Sequence, residues 1–441
     1  MLRTLSHSMR RITAVATIVG LLAACDSLVE VTDPDIILDA NSPAGAIALK
    51  NGALLRLAQA TSGGGDDVGG LVLYTGLLAD EWISGDTFEQ RNSADQRNFA
   101  VSNSFLDDGF RALNRVRNLS DDAIESLRRW TPAPTGNIGM MFATKAFAEN
   151  LIGEVYCNGI PFSDYEGPNL IFGTPLPYDS ALARAAASAD SALLYVGGTD
   201  GPRVTNFAKI VKGRALLNRG QYAAAAQAVA GVPATFRWEV THSENSGINQ
   251  IWSLNNSANR YVVADREGGN GLNFISAADP RLPTSKPKPK AFDSSTDFVQ
   301  QDIYARLSSV PIATGIEGLL ITAEAALKNN DVTTWLAKLN EARATRTDLA
   351  ALADPGDANG RVDLTFRERA FWMFSTGHRL GDLRRLIRQY GRAQNTVFPT
   401  GTHFKGPTYG TDVNFPISFD ELNNPSAPGN QQQSTCTDRV A

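Results

Sequence analysis

The run Ala208-Lys-Ile-Val-Lys-Gly213-Arg-Ala215-Leu-Leu-Asn-Arg-Gly220-Gln-Tyr222-Ala-Ala-Ala225 constrains the fold more than any other part of the chain. Small residues stand where two helices of a hairpin would touch, a glycine stands at the turn, and a tyrosine is placed to pack across it. A weaker copy runs from Ile321 to Asp331 and on through Trp335 to Arg346, with Asn330 where the turn glycine stood. Small side chains let helix backbones approach closely, so the repeated pattern predicts packed helix pairs before it predicts any function.

Other segments add helices. Ser42-Pro43-Ala44-Gly45-Ala46 reads as a helix start, with Ser42 as the cap and Pro43 in the first turn. Leu71 to Ile83, Ser104 to Leu127 and Met140 to Tyr156 read as helices, and Phe366 to Gln389 as helix broken near Gly377. From Phe236 to Ser309 the composition changes to Gly, Asn, Ser and Pro with scattered aromatics. That composition predicts loops with short strands, best placed at Phe236–Val240 and Tyr261–Val263, where β-branched and aromatic residues cluster. Beyond Gly391 the chain reads as irregular. The expected fold class is mainly α, with repeat-like helix pairs and a loop-rich face containing short strands.

The N-terminus reads as a leader. Arg3, Arg10 and Arg11 precede an apolar run from Ile12 to Leu22, roughly half the ~20 residues that a membrane-spanning helix needs. Leu22-Ala23-Ala24-Cys25 is similar to the lipobox of bacterial lipoproteins, which implies acylation of Cys25. Acyl chains contribute ~0.8 kcal/mol per buried CH₂, so several of them anchor a protein stably. The plainer alternative is an ordinary cleaved signal with an incidental cysteine. The expected organisation is a signal peptide over 1–24, a tether over 25–41, a helical N-terminal region over 42–235, and a C-terminal region over 236–441 packed onto it as one body.

Two cysteines remain, Cys157 and Cys436. They read either as one disulfide tying the tail to the body or as two separate buried thiols. His7, His242, His378 and His403 show no H-x-x-x-H spacing and no C-x-x-C occurs, so neither a metal site nor a cofactor is expected. With 41 basic and 46 acidic residues the formal charge is −5, which gives no nucleic-acid partner.

One run is more specific. Arg367-Glu-Arg-Ala-Phe-Trp-Met-Phe-Ser-Thr-Gly377-His378-Arg379-Leu-Gly-Asp382-Leu-Arg384-Arg385 resembles the signature of the SusD/RagB family. Asp279-Pro280-Arg281-Leu282, the helix from Glu317 to Leu327, and Phe415-Pro416-Ile417 with Glu421-Leu422, Asn424-Pro425 and Gly429 resemble three further elements of it, in the same order. The hairpin at Gly213 to Tyr222 resembles a tetratricopeptide repeat. Two departures stand out: no glutamate precedes Gly377-His378, and Gln431 to Cys436 replaces an aromatic finish. The resemblance implies a SusD-like fold whose loop-rich face grips an oligosaccharide or peptide. It also implies attachment to the outer membrane through the lipid and a partnership with a SusC-like TonB-dependent transporter. Within the signature, the Arg379 and Asp382 pair at i,i+3, Arg384, Arg385 and His378 are expected to organise the core and not to catalyse.

Two segments carry the mixture that ligand binding needs, aromatic faces beside amides and charges: Asp80 to Asn92 and Trp252 to Tyr261. The expected site is Trp82, Asp86, Arg91, Trp252, Asn255, Arg260 and Tyr261, although either tryptophan could instead be packed under its loop. No enzyme is expected. Neither G-x-S-x-G nor H-E-x-x-H occurs, and Gly63-Gly-Gly and Gly268-Gly-Asn-Gly271 lack the lysine of a phosphate loop. Neighbouring carboxylates such as Asp80 and Glu81 are too common to establish a glycoside hydrolase. That class and a helical-repeat envelope scaffold are the two rivals.

Overall fold

A computed structural model of the chain describes residues 41–64, 70–100, 102–166, 169–417 and 419–422. The leader, Cys25, the tether up to residue 40, Cys436 and the Asn424 to Gly429 part of the closing segment lie outside them. Among the described residues, no helix is long and apolar enough to cross a membrane.

Helix α1 (Pro43–Thr61) starts as its sequence requires: the Ser42 hydroxyl accepts the Gly45 amide N–H at 3.0 Å. Helix α2 (Leu71–Leu78) is buried all round, and it stops short of the expected Ile83. The chain turns there into strand β1 (Trp82–Ser84), because Trp82, Ile83 and Ser84 take their ladder partners from Val263, Val262 and Tyr261. A short helix α3 (Glu89–Asp95) follows. Helix α4 (Ser104–Trp130) then buries Phe105, Leu106, Phe110, Leu113, Val116, Ile124 and Leu127, an apolar stripe at three- and four-residue spacing.

From α4 the helices pack in chain order through α5 (Gly136–Val155), α6 (Tyr178–Leu193), α7 (Gly201–Asn218) and α8 (Tyr222–Ala228). Strand β2 (Arg237–Val240) opens the loop-rich region, β3 (Tyr261–Val263) pairs antiparallel with β1, and β4 (Val310–Thr314) returns beside β2. Helix α9 (Gly315–Lys328) leads to α10 (Val332–Arg343) and packs on both α7 and α8. The two turns expected from the repeated pattern are equivalent: Gly220 has φ +72° and Asn330 has φ +57°. Both therefore sit in the left-handed region, which asparagine tolerates better than most residues.

The signature segment forms α11 (Ala358–Trp372) and α12 (Arg379–Tyr390), broken at Gly377 with φ +77°. Most of its charges, Glu368, Arg369, Arg379, Asp382, Arg384 and Arg385, are buried, and each has a partner on another element. Arg379 reaches back to Asp80, not to Asp382 as the i,i+3 spacing suggested. Asp382 instead takes Arg369 at 2.8 Å and Arg385 at 2.7 Å. Arg385 also bonds Glu324 on α9, and Arg384 bonds the Glu154 carbonyl at the end of α5. Burial works to raise the Asp382 pKa, but the two guanidiniums outweigh it and hold the carboxyl well below its ordinary value. These pairs lace α12 to the turn after α2 and to α5, α9 and α11. One hydrophobic cluster, running from Ala46 to Ile417, fills the space between both halves of the chain.

Candidate ligand-binding face

The β1–β3 pair positions the expected site and divides it in two. Trp82, Asn255 and Tyr261 are fully buried. The Trp82 indole N–H donates to Ser375 Oγ at 3.2 Å, and its ring meets Phe374 at 5.2 Å and Tyr261 edge-on at 6.3 Å. Asn255 donates to the carbonyls of Tyr261 and Val299 at 2.8 and 3.2 Å and accepts the Gln301 amide at 2.9 Å. These three residues are corrected from ligand contacts to supports: a ring or amide with no exposed surface presents nothing to a cargo. Trp252, half-buried, opens a π-helical turn over Trp252–Ser257 and makes none of the contacts that join the remaining residues.

Asp86, Arg91 and Arg260 do come together, but Asp86 and Arg91 are themselves buried and are likewise supports, so of the three only Arg260 reaches the surface. The buried Asp86 carboxylate accepts Arg91 at 2.5 Å on one oxygen and Arg260 at 2.5 Å on the other. Arg91 is buried, its guanidinium 5.5 Å from the Tyr261 ring and 5.1 Å from that of Phe105. Burial acts to lower its pKa, yet Tyr261 and Asp86 reverse the direction and raise it. Arg260 keeps 21% of its side chain exposed and lies between two rings, 3.8 Å from the Phe292 centroid and 4.9 Å from that of Phe88.

The rings that reach solvent are ones the sequence reading did not select. Phe88, Phe292 and Phe404 are 46%, 47% and 47% exposed. Phe88 lies within the segment singled out by sequence, and its polar neighbours were a signal that could have found it. Phe292 and Phe404 come from distant loops and only the tertiary structure brings them near. Lys405 joins the pieces, with its ammonium 2.8 Å from the Asp86 carbonyl, 2.8 Å from Asn92 Oδ1 and 3.0 Å from the Asp293 carboxylate.

Beside Phe404 opens a cleft of about 480 Å³, lined by Ile83, Asp265, Arg266, Thr400, Thr402 and Tyr409 among others. Its two walls are the turn 266–269 and the loop 400–409. They touch at Gly268, where φ is +58° and a Cβ would lie 2.4 Å from the Thr400 nitrogen, so only glycine lets the walls meet. A face of three exposed rings, a partly exposed guanidinium and a cleft edged with hydroxyls can hold a polar ligand by stacking and hydrogen bonding. A wider groove of about 790 Å³ lies elsewhere, between α8 and the α9–α10 turn, with Tyr222, Thr322, Lys328 and Asp331 along it.

Stacked helix pairs carrying a loop-built face define a class of helical platforms. Within that class the chain has the SusD-like fold. It superimposes on a SusD superfamily protein of Parabacteroides distasonis with a TM-score of 0.65 at 13% identity, over 86% of this chain and 96% of that one. A SusD-like carbohydrate binding protein of Bacteroides vulgatus matches with a TM-score of 0.64 at 13% identity over 88% and 98%. A SusD superfamily protein of Bacteroides fragilis matches with a TM-score of 0.61 at 15% identity over 88% and 99%. No family model and no curated protein matches the sequence.

Proposed function

We propose that the chain is a nutrient-binding lipoprotein of the cell surface, capturing a glycan or peptide and passing it to a SusC-like TonB-dependent outer-membrane transporter. The observation that carries the reading is the set of exposed rings: Phe88 and Phe292 flank Arg260 of the Asp86–Arg260 pair, and Phe404 edges the cleft beside Lys405, which bonds Asp86. Such rings offer flat apolar surface to a sugar face or an apolar side chain, while Arg260, Arg266 and the cleft threonines supply hydrogen bonds. Two solved structures with this fold are described as a SusD-like carbohydrate binding protein and a putative sugar binding protein, both of Bacteroides vulgatus, which supports a saccharide before a peptide. Acylation at Cys25 would supply the outer-membrane anchor. No step of catalysis is assigned to the face; Asp86, the carboxylate beside the rings, is already neutralised by two arginines.

Binding of the purified chain to a panel of oligosaccharides and peptides, beside a variant carrying Phe88→Ala, Phe292→Ala and Phe404→Ala, tests the site. A ligand bound equally by both proteins removes the face from consideration. Affinity isolation from detergent-solubilised envelope tests the partner. A barrel transporter supports import, whereas assembly machinery without a transporter would favour the scaffold reading, for which the groove at Tyr222 and Lys328 is the natural surface.

A further inference from the structure

Asp95 ends α3, Glu267 lies in the turn 266–269, and His403 sits in the loop 400–409. One potential ligand atom from each lies within 4.8 Å of the others, and all three residues are buried. The hydrogen bonds around them account for most of their polar atoms. Asp95 Oδ2 accepts the Ser84 amide at 2.9 Å and faces His403 Nε2 at 3.0 Å, and Glu267 Oε1 accepts the Tyr409 hydroxyl at 3.0 Å. His403 Nδ1 accepts the Lys405 amide at 3.1 Å, so in the neutral ring Nε2 holds the proton and donates to Asp95. The imidazole is thereby spent as a support for Asp95.

Two atoms are left over. Asp95 Oδ1 and Glu267 Oε2 are buried and take no hydrogen bond from any other described residue, and the two carboxyl groups lie within hydrogen-bond reach of each other. The nearby Arg97 guanidinium is held by the carbonyls of Asp412 and Pro399, at 2.9 and 2.5 Å, and bonds neither carboxylate. Two carboxylates that close cannot both stay ionised and bare away from water. Either a proton or a cation must lie between them.

We propose that Asp95 and Glu267 bind one hard divalent cation, of the calcium, magnesium or manganese type, beneath the cleft. The donors available are carboxylate oxygens, the ligands that calcium, magnesium and manganese prefer. The lack of Cys and His spacing in the sequence therefore speaks against zinc only. His403 acts as the outer contact that fixes which Asp95 oxygen faces the ion. Glu267 and Tyr409 line the cleft, which gives the ion and its waters a route in. The bound ion would tie the turn 266–269 to α3, and through His403 to the loop 400–409, so it would brace both walls of the cleft whatever the cargo is.

The test uses the full chain, treated with chelator and then titrated with calcium, magnesium or manganese chloride by calorimetry and by thermal melting. The expected result is one ion per chain and a rise in Tm of several degrees, both lost in Asp95→Asn and in Glu267→Gln and both kept in the exposed-site control Asp297→Asn. Should Asp95→Asn fail to fold, Glu267→Gln decides alone, since it keeps the shape and removes one charge. No ion bound and a melting curve indifferent to chelator would mean that the pair holds a proton only, and would overturn the proposal. Because the readout is ion binding and not cargo binding, its failure leaves the proposed function of the face standing.

Discussion

Arg379 grips both carboxylate oxygens of Asp80, Nε to Oδ1 at 2.6 Å and Nη2 to Oδ2 at 2.8 Å, across 299 positions of sequence. Both groups are buried, so the pair is an anchor between the start of α12 and the turn after α2. Removing one partner strands the other charge. Arg379→Ala is expected to cost about 3 to 5 kcal/mol in urea denaturation. Lysine should restore only part of this, because an ammonium cannot make the two parallel bonds. A loss under 1 kcal/mol would mean the pair is solvated in solution.

Trp82 and Phe404 separate support from contact. Trp82→Ala empties a fully buried site and should cost about 3 to 5 kcal/mol, with ligand affinity of the folded fraction unchanged. Phe404→Ala should leave stability within about 0.5 kcal/mol and weaken binding instead. Melting curves paired with titrations of each variant decide between the two roles, and reversed effects would refute the assignment.

Glu81 gives a pH dependence with a definite sign. Burial pushes its pKa up to about 8, against the opposing pull of the Ser375 amide and Arg379. A carboxyl raised above its unfolded value contributes stability that is fully present below about pH 4.5 and is lost progressively as pH rises through 8. At about 1.4 kcal/mol per pKa unit, the total is a few kcal/mol. Glu81→Gln should flatten the slope of stability between those limits relative to the parent chain. Parallel slopes for the two proteins would show that Glu81 ionises freely when folded.

Cys157 is disulfide-bonded and fully buried. If Cys25 carries the lipid, Cys436 is the cysteine that remains to bond it. Peptide mapping without reduction should then recover a Cys157–Cys436 pair, and reduction should lower stability by about 2 to 4 kcal/mol. Alkylation of Cys436 in the unreduced protein would count against this pairing.

Much of the scaffold was legible because its signals are local. The Ser42 cap, the turns at Gly220 and Asn330, the break at Gly377 and the strands near Trp238 and Val262 each depend on a few neighbouring residues and their backbone preferences. The structural role of Arg384 and Arg385 was legible too, since a dense run of charges in an apolar helix must find partners. Which distant partners the signature arginines find was not legible: Asp80 for Arg379, the Glu154 carbonyl for Arg384 and Glu324 for Arg385 are far away in sequence, and the i,i+3 rule pointed Arg379 at the wrong carboxylate.

The face shows the same division more sharply. The sequence by itself determined that Asp86, Arg91 and Arg260 belong to two polar, aromatic loop segments. Only the tertiary structure decided that they meet, that Trp82 and Tyr261 turn inward while Phe88, Phe292 and Phe404 turn outward, and that Asp95 faces Glu267. The reason is physical. Helix starts and turns are settled by neighbours along the chain, whereas exposure of a ring or the approach of two carboxylates is settled by which distant loops pack against each other.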